Sequence, residues 1–459
     1  MSTALDRDQA VRESYARDAS GLWRVPESVA RPSSAEEIVA LLRGATADRT
    51  YVTTAGAQTS TTGASISDRG MVMSTRAMAR ILDVDAATMT ARVEPGVLLG
   101  DLQRALAGSG LAFAPDPTSD QECTVGGAIA CNASGPRTLR YGATRAHVRA
   151  LTVALASGEV IDVRRPLVEK NAVGYPPVQD LVDWFVGSEG TLGVILAAEL
   201  ALMPRPAREV GFAIPLPDEA SAFALILAAR DSSAVHPRCL EYFDGPSFAI
   251  ARGDTGDAGW AATSGAMVYA EETTDGDDPP LDAWLALAER FGGRDGDVRA
   301  FEGDAAIREA RRLRHAVPAT MHERVAPFLA AGGRRVSTDW AVPYRRAAEA
   351  VAMARRHAAD AGITPGIVYG HLGNGHPHQN FVAHDPTEVR AIEAVVERTL
   401  RDVLAMGGTV SAEHGIGKIK ARWLPLQLSG LQMGMLRSIK RELDPLGILA
   451  PGNILGTPS

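Results

Sequence analysis

Three loops built almost entirely of small residues punctuate the early part of the chain: AGAQTSTTG at 55–63, TVGGAIACNASG at 124–135 and GSEGTLG at 187–193. Without bulky Cβ substituents, such loops let a ligand approach the backbone closely. Successive backbone N–H groups with Ser/Thr hydroxyls can hold a pyrophosphate without a lysine. Any one of them alone is an ordinary tight turn. Neither of the first two matches the GxGxxG fingerprint after a first strand, nor the GxxxxGK(S/T) pattern. That disfavours a Rossmann dehydrogenase and a P-loop NTPase.

The 459 residues predict two or three domains, and 46% apolar residues allow large cores. The first region, 1–205, alternates short strands, turns and helices. A Ser33-Ser34 cap with Glu36 and Glu37 behind it predicts an amphipathic helix, and ALTVALASGEVIDV predicts a hairpin turning at Ser157-Gly158. From 206 to 410 the helical periods lengthen, as in PDEASAFALILAARD and PYRRAAEAVAMARRHAADAG. Within that region the Gly/Asp-rich stretch 252–278 reads as a surface excursion. The last segment, 411–459, carries SAEHGIGK and a predicted helix near 427–443.

A net charge of −8 with no basic run argues against nucleic acid as the main partner. The N-terminus is polar and mixed in charge, unlike a signal peptide. No apolar run approaches the ~20 residues of a membrane span, so a cytoplasmic location is expected. The cysteines Cys123, Cys131 and Cys239 show no CxxC spacing, which excludes a readable zinc ribbon, iron–sulfur cluster or disulfide framework. Electrons handled by such a chain travel on an organic cofactor or a non-thiolate metal.

Three of the ten histidines crowd into GHLGNGHPHQN, residues 370–380. Asn374-Gly375 is a strong type I′ hairpin signal. With those two residues as the turn, His371 lies opposite His378, their Cβ atoms roughly 5 Å apart. His376 and Asn380 share the parity of His378 and point to the same face. Converging imidazoles suit a metal ion or a hydrogen-bonded polar pocket.

In chain order, YARDAS, GAQTSTTG, VEPGV, DPTS…TVGGAIACNASGPRTLRYG, KNAVGY, GSEGTLGVI, GHLGNGHPHQN, EHGIGK and DPLGILAPGNIL resemble the FAD-linked 2-hydroxy-acid dehydrogenases and oxidases of the vanillyl-alcohol oxidase fold. The likeness is greatest to the D-lactate, D-2-hydroxyglutarate and glycolate-oxidase-subunit-D branch, and it runs over nearly the whole chain. It implies an α+β architecture: a two-part FAD-binding domain (1–205), an α+β substrate or cap domain (206–410), and a C-terminal segment (411–459) returning to the FAD domain.

The resemblance also implies site residues. Gly56, Ala57, Gln58, Thr59, Ser60, Thr62 and Gly63 fall where the family's loop wraps the FAD pyrophosphate. The usual RGGGTS is altered there, because Ala55, Ala57 and Gln58 replace the arginine and two glycines. Pro117, Thr118, Ser119, Gly126, Gly127, Asn132, Ser134 and Gly135 match loops lining the isoalloxazine and the rest of the dinucleotide. Glu189, Gly190 and Val194 match the adenine-side turn, and Asn453 the flavin-proximal C-terminal segment. No His or Cys lies in the pyrophosphate loop, so the implied FAD is non-covalent.

For the histidine cluster, the resemblance implies metal ligation of zinc or manganese by His371, His378 and Glu413. It implies His414 as general base, free to point at the substrate hydroxyl rather than share a carboxylate. Arg314 and Asn380 would contact substrate, and Arg335 lies near a conventionally basic position. Two departures stand out: Asn374 and His376 replace the family's Asp and Asn. Losing the acid removes a possible second partner for a ligating histidine, while His376 could be a fourth ligand, a substrate contact or solvent-exposed. The function implied is oxidation of a small 2-hydroxy acid, D-configured, to the 2-oxo acid. An external acceptor (a quinone, an electron-transfer flavoprotein, a cytochrome or oxygen) would reoxidise the flavin, and a homodimer is compatible with the chain. Rival readings are a same-fold oxidase of a bulkier alcohol and a catalytically silent flavin-binding accessory subunit. A metal-dependent hydrolase would leave the small-residue loops unexplained.

Overall fold

The structure, a computed structural model, describes residues 5–257, 259–275 and 278–456. The chain separates into two units. One contains the chain up to Ser134, Gly142–Arg205 and the chain from Glu413 onward; the other contains Gly135–Tyr141 and Pro206–Ala412. The short stretch Gly135–Tyr141, read from sequence with the first region, therefore groups with the second.

In the first unit, Ser34 accepts from the Glu37 amide at 3.3 Å and starts helix Ala35–Asp48. Glu36 and Glu37 complement the positive helix end. Ile38, Leu42 and Ala45 on this helix share a buried core with Val52, Met71, Met73, Ile448 and Leu449. Strands Ser28–Ala30, Met71–Ser74 and Val52–Ala55 form a parallel sheet in that order. Covered on both faces, these strands read as buried runs rather than alternating ones. The C-terminal segment belongs here because the Val52 amide donates to Ile448 O at 2.9 Å and Ala450 N to Val52 O at 2.7 Å.

A second, antiparallel sheet runs in the order Ile81–Asp85, Thr90–Val93, Val194–Ala201, Val148–Ala154, Val160–Arg164. Its hairpin turns at Ser157-Gly158, with Gly158 at φ +77°. The short helix Val125–Cys131, capped by Thr124, buries Val125, Ala128 and Ile129 in the same core as the sheet. Helix Gly430–Leu443 opens with a capping box between Ser429 and Gln432.

The second unit is built on a seven-stranded antiparallel sheet. Its order is Arg299–Glu302, Arg208–Leu216, Ala266–Thr274, Cys239–Asp244, Ile367–His371, His376–Ala383, Arg334–Ser337. Helices Gly245–Asp254 and Gly303–Val325 cover one face, where Phe248, Ala251, Ala310, Leu313 and Val317 pack with Ala213, Phe243, Tyr269 and Tyr369. Helices Glu219–Asp231 and Leu281–Arg290 cover the other, through Phe223 on Tyr242 and Trp284 on Phe212.

The stretch 252–278 is a surface excursion only in part: its described residues 253–257 and 259 are exposed, but most of the rest is built into the fold. It holds the end of helix Gly245–Asp254 and the strand Ala266–Thr274, in which Ala266–Ala270 are at most 4% exposed. Gly and Asp residues flank an apolar AMVYA run there. Composition averaged over the window masks the short buried strand they bound.

Candidate active site

The small-residue loops of the first unit come together. A Cβ on Gly56 would collide with Thr124 Oγ1, so the loop at 55–63 lies directly on the start of the second. A Cβ on Gly417 would likewise collide with Thr62, whose carbonyl accepts from Lys418 N at 2.9 Å. Asn453 pins this cluster: Nδ2 donates to Ala64 O (2.9 Å) and Glu189 O (3.2 Å), and Oδ1 accepts from Lys418 Nζ at 2.6 Å. Four segments far apart in sequence thereby share one wall.

Glu189, at φ +51° beside Gly190 at φ +73°, turns its carboxylate to the amides of Ile416 (2.5 Å) and Gly417 (2.7 Å). Burial pushes this carboxyl up to about 7, against the pull of those amides and of Lys420 and Lys418. Lys418 Nζ also donates to Gly63 O at 3.1 Å, and burial brings its ammonium down to about 8. Among the described residues no carboxylate lies within 4.0 Å of it.

Several residues assigned to the cofactor also have local duties. Gln58, at φ +57°, donates from Nε2 to Arg17 O (2.7 Å) and Tyr15 O (3.2 Å), so its side chain fastens the N-terminal segment to the loop. Asn132 ends its helix at φ +49° and accepts from the Arg145 amide at 2.9 Å. Pro117–Ser119 form a turn, with Asp120 N on Pro117 O. Gly126 packs against Pro95, Gly127 donates to the Thr124 cap, and Val194 opens a buried strand. Ser60 Oγ accepts from the amides of Thr62 and Ala64. Ser134 Oγ lies 3.4 Å from Glu413 Oε2.

His414 departs from expectation. Its Nε2 sits 3.3 Å from its neighbour's Oε1, within ion-pair reach of Glu413, because a turn places the two adjacent side chains on one side. Its carbonyl accepts from Thr62 Oγ1 at 3.4 Å.

In the second unit the histidine hairpin is built differently from the type I′ expectation. His371 pairs with His376, and Tyr369 with His378. The connection has four residues: a 3₁₀ turn, Leu372–Asn374, closed by Gly375 at φ +70°. Leu372 is 1% exposed, and Arg230 Nη1 donates to Gly373 O at 2.8 Å, which hold the longer turn. The register differs by two residues, an even number, so the faces are preserved. His371, His376, His378 and Asn380 still point to one side, and a ring nitrogen of each histidine lies within 4.8 Å of one on each of the others. All four are buried, which removes solvent exposure from the roles open to His376.

A neighbouring strand and the segment after strand Arg334–Ser337 add carboxylates beside these histidines. Glu241 Oε1 is 2.6 Å from His371 Nδ1, and its Oε2 accepts from Arg314 Nε at 2.6 Å. Arg314 Nη2 reaches His371 Nε2 at 2.9 Å. Burial works against the charge on Glu241, but its contacts with His371 and Arg314 outweigh that and hold it at about 2. Asp339 Oδ1 is 3.1 Å from His376 Nε2, close enough for an ion pair yet not aligned for a hydrogen bond. Asp339 Oδ2 accepts from Ser411 Oγ at 2.8 Å. His376 Nε2, Asn380 Oδ1 and Arg335 Nη1 are buried without a hydrogen-bond partner among the described residues. Such atoms are rare in native proteins and cost about 1–3 kcal/mol each. Sequence reasoning missed both Glu241 and Asp339, since neither adjoins the histidine motif.

Residues 26–164 match the family of FAD binding domains, and residues 205–454 match the C-terminal domain of FAD linked oxidases. The chain belongs to the FAD linked oxidases and is a flavin-dependent oxidoreductase with the vanillyl-alcohol oxidase fold. Among its relatives are the glycolate oxidase subunit GlcD of Bacillus subtilis, 29% identical over 98% of this chain and 93% of the relative, and a D-2-hydroxyglutarate dehydrogenase of Xanthomonas citri, 30% identical over 99% and 94%. A D-lactate dehydrogenase of Archaeoglobus fulgidus is 30% identical over 93% and 91%. A solved structure of alkyldihydroxyacetonephosphate synthase shares the fold, with a TM-score of 0.71 at 18% identity, covering 97% of this chain and 82% of that one.

The first unit fits FAD. Its glycine cradle has no room for added Cβ atoms at Gly56 and Gly417, and Lys418 offers a half-buried cation without an acidic neighbour in ion-pair range. The donor set of the second unit fits a divalent metal: converging imidazoles backed by buried carboxylates. Among the described residues no helix is long and apolar enough to cross a membrane.

Proposed function

We propose that this protein oxidises a small D-configured 2-hydroxy acid to the 2-oxo acid. The observation that carries this reading is the set of buried polar atoms without a hydrogen bond around the histidine hairpin: an acceptor on Asn380, a guanidinium N–H on Arg335 and a ring nitrogen on His376. A compact ligand bearing both hydroxyl and carboxylate would satisfy them. The names of the relatives, which include glycolate, D-lactate and D-2-hydroxyglutarate enzymes, support the same substrate class.

Bound FAD supplies the acceptor for the hydride leaving C2. The loop at 56–63, Lys418 and Asn453 would hold it, with the Lys418 ammonium as the cation offered to the diphosphate. His371, His378 and Glu413 would hold zinc or manganese, which supplies Lewis acidity toward the substrate hydroxyl. His414 takes the hydroxyl proton as hydride departs, the work of a positioned imidazole base. Arg314 and Asn380 orient the substrate carboxylate. The described cysteines form no disulfide and no cluster, so an external acceptor returns the flavin to its oxidised form.

Anaerobic titration with a panel of D- and L-2-hydroxy acids tests this directly. Bleaching of the flavin bands by a small D-2-hydroxy acid is the expected result. Bleaching only by a bulkier alcohol, or by nothing on the panel, would sink the reading. Chelation should then suppress turnover while FAD stays bound; full activity in metal-free protein would leave the histidines as a hydrogen-bonding pocket.

A further inference from the structure

The tautomer of His371 can be assigned from its partners. An arginine carries donors only, and Arg314 Nη2 lies 2.9 Å from His371 Nε2. Nε2 is therefore the acceptor and bears the lone pair, while the proton sits on Nδ1, 2.6 Å from Glu241 Oε1. The second oxygen of Glu241 accepts from Arg314 Nε. One carboxylate, 1% exposed, thus holds both the imidazole and the guanidinium that caps its lone pair.

We propose that Glu241 is the positioning residue of the histidine centre, fixing His371 as the Nδ1–H tautomer so that Nε2 is presented to a divalent cation. The strand register explains how it gets there. Tyr242 pairs with Gly370, so the preceding and following residues, Glu241 and His371, stand side by side on one face. The acid absent from the hairpin turn at Asn374 is supplied from the neighbouring strand. A cation held at Nε2 would take the lone pair now capped by Arg314 Nη2, leaving that N–H for the substrate carboxylate. This inference rests on the metal-assisted reading above and deepens it.

Glutamine at 241 is nearly isosteric but has one acceptor oxygen in place of two. It can serve Arg314 Nε or His371 Nδ1, and the other N–H then faces an NH₂ group. With NH₂ toward the ring, the favoured tautomer puts the proton on Nε2 and closes that nitrogen to metal. Loss of such a partner typically costs 10–100-fold in metal affinity.

The experiment uses the full-length FAD-loaded protein, stripped of metal by a chelator and titrated with Zn²⁺ against a chromophoric competitor. E241Q is expected to bind Zn²⁺ about 10–100-fold more weakly, with FAD content unchanged and a lower thermal midpoint, because a buried ion pair is lost. Equal affinity in a folded E241Q overturns the proposal while leaving the functional reading intact. Wild-type protein that binds no Zn²⁺ overturns the proposal and the zinc assignment it rests on, while the oxidation of a 2-hydroxy acid is decided separately by the flavin titration. Should E241Q fail to fold, the wild type decides through long-range ¹⁵N–¹H spectra of its histidines, with the His371 signal assigned from H371Q. An Nδ1–H tautomer is expected, and an Nε2–H tautomer refutes the role of Glu241.

Discussion

At the scale of single residues, His414 and Lys418 carry the sharpest expectations. A positioned base typically contributes about 10²–10⁴-fold to rate. His414→Ala should slow substrate-dependent flavin reduction by that factor in anaerobic stopped-flow while FAD and metal contents hold. A mutant that reduces its flavin at the wild-type rate would take His414 out of the mechanism. Lys418 makes a prediction about binding. Burial brings its ammonium down to about 8 in the ligand-free protein. Below that pH the charge is already present when FAD arrives; above it, binding must take up a proton. FAD affinity of the stripped protein should therefore fall as pH rises past about 8, by at most about tenfold per unit. Lys418→Met should lose this dependence and weaken FAD about 10–100-fold, the worth of a hydrogen bond to a charged group. Fluorescence titration of apoprotein across pH reads both, and an unchanged profile in the variant would refute the phosphate role.

At the scale of elements, the sheet of the second unit carries a buried ion network beside the histidine face. Arg238, 1% exposed, donates to both oxygens of Glu209 (2.9 and 2.7 Å) and to Glu271 Oε2 (2.9 Å), while Arg137 reaches Glu271 at 3.0 Å. Burial opposes both charges, yet the arginines prevail: Glu209 is held at about 2 and Glu271 well below the usual carboxylate range. Depressed carboxylates contribute stability that is fully present above the ordinary value of 4.5 and lost as pH falls toward the folded value. Acid unfolding of this unit should accordingly steepen between about pH 4.5 and 2. Removing one partner of a buried pair costs about 3–5 kcal/mol, so Arg238→Met should lose that much at neutral pH in denaturant unfolding. Its stability should also depend less on pH below 4.5. A loss under about 1 kcal/mol, the range of an exposed pair, would show that the network contributes little. The hairpin shows how far local signals reach. Asn-Gly announced a turn, and alternation placed the histidines on one face. The turn type followed from Leu372 and Arg230, whose contacts the local code does not contain.

At the scale of the whole molecule, the family assignment makes the flavin FAD, and the loop composition predicts that it is removable. The described pyrophosphate loop, residues 55–63, holds neither His nor Cys. Acid or heat denaturation should release all flavin into solution as FAD, read by chromatography of the supernatant. Flavin retained on the precipitate would refute the non-covalent assignment, and FMN in its place would undo the adenine-side role of GSEGTLG.

The sequence by itself determined the loops that need small residues, the helix starts with their caps, and the order of motifs that marks the family. Each is a local requirement: a backbone that must be approached closely, an orphan amide that must be capped, a face that must alternate. Only the tertiary structure decided which carboxylate serves which histidine. Glu241 and His371 are 130 positions apart, and Asn453 meets the Ala64 carbonyl across 389. It likewise turned Gln58 toward the N-terminal segment. A buried charge takes whatever partner the packing brings within hydrogen-bond distance. Packing is a property of strand register and sheet order, which no short stretch of residues encodes.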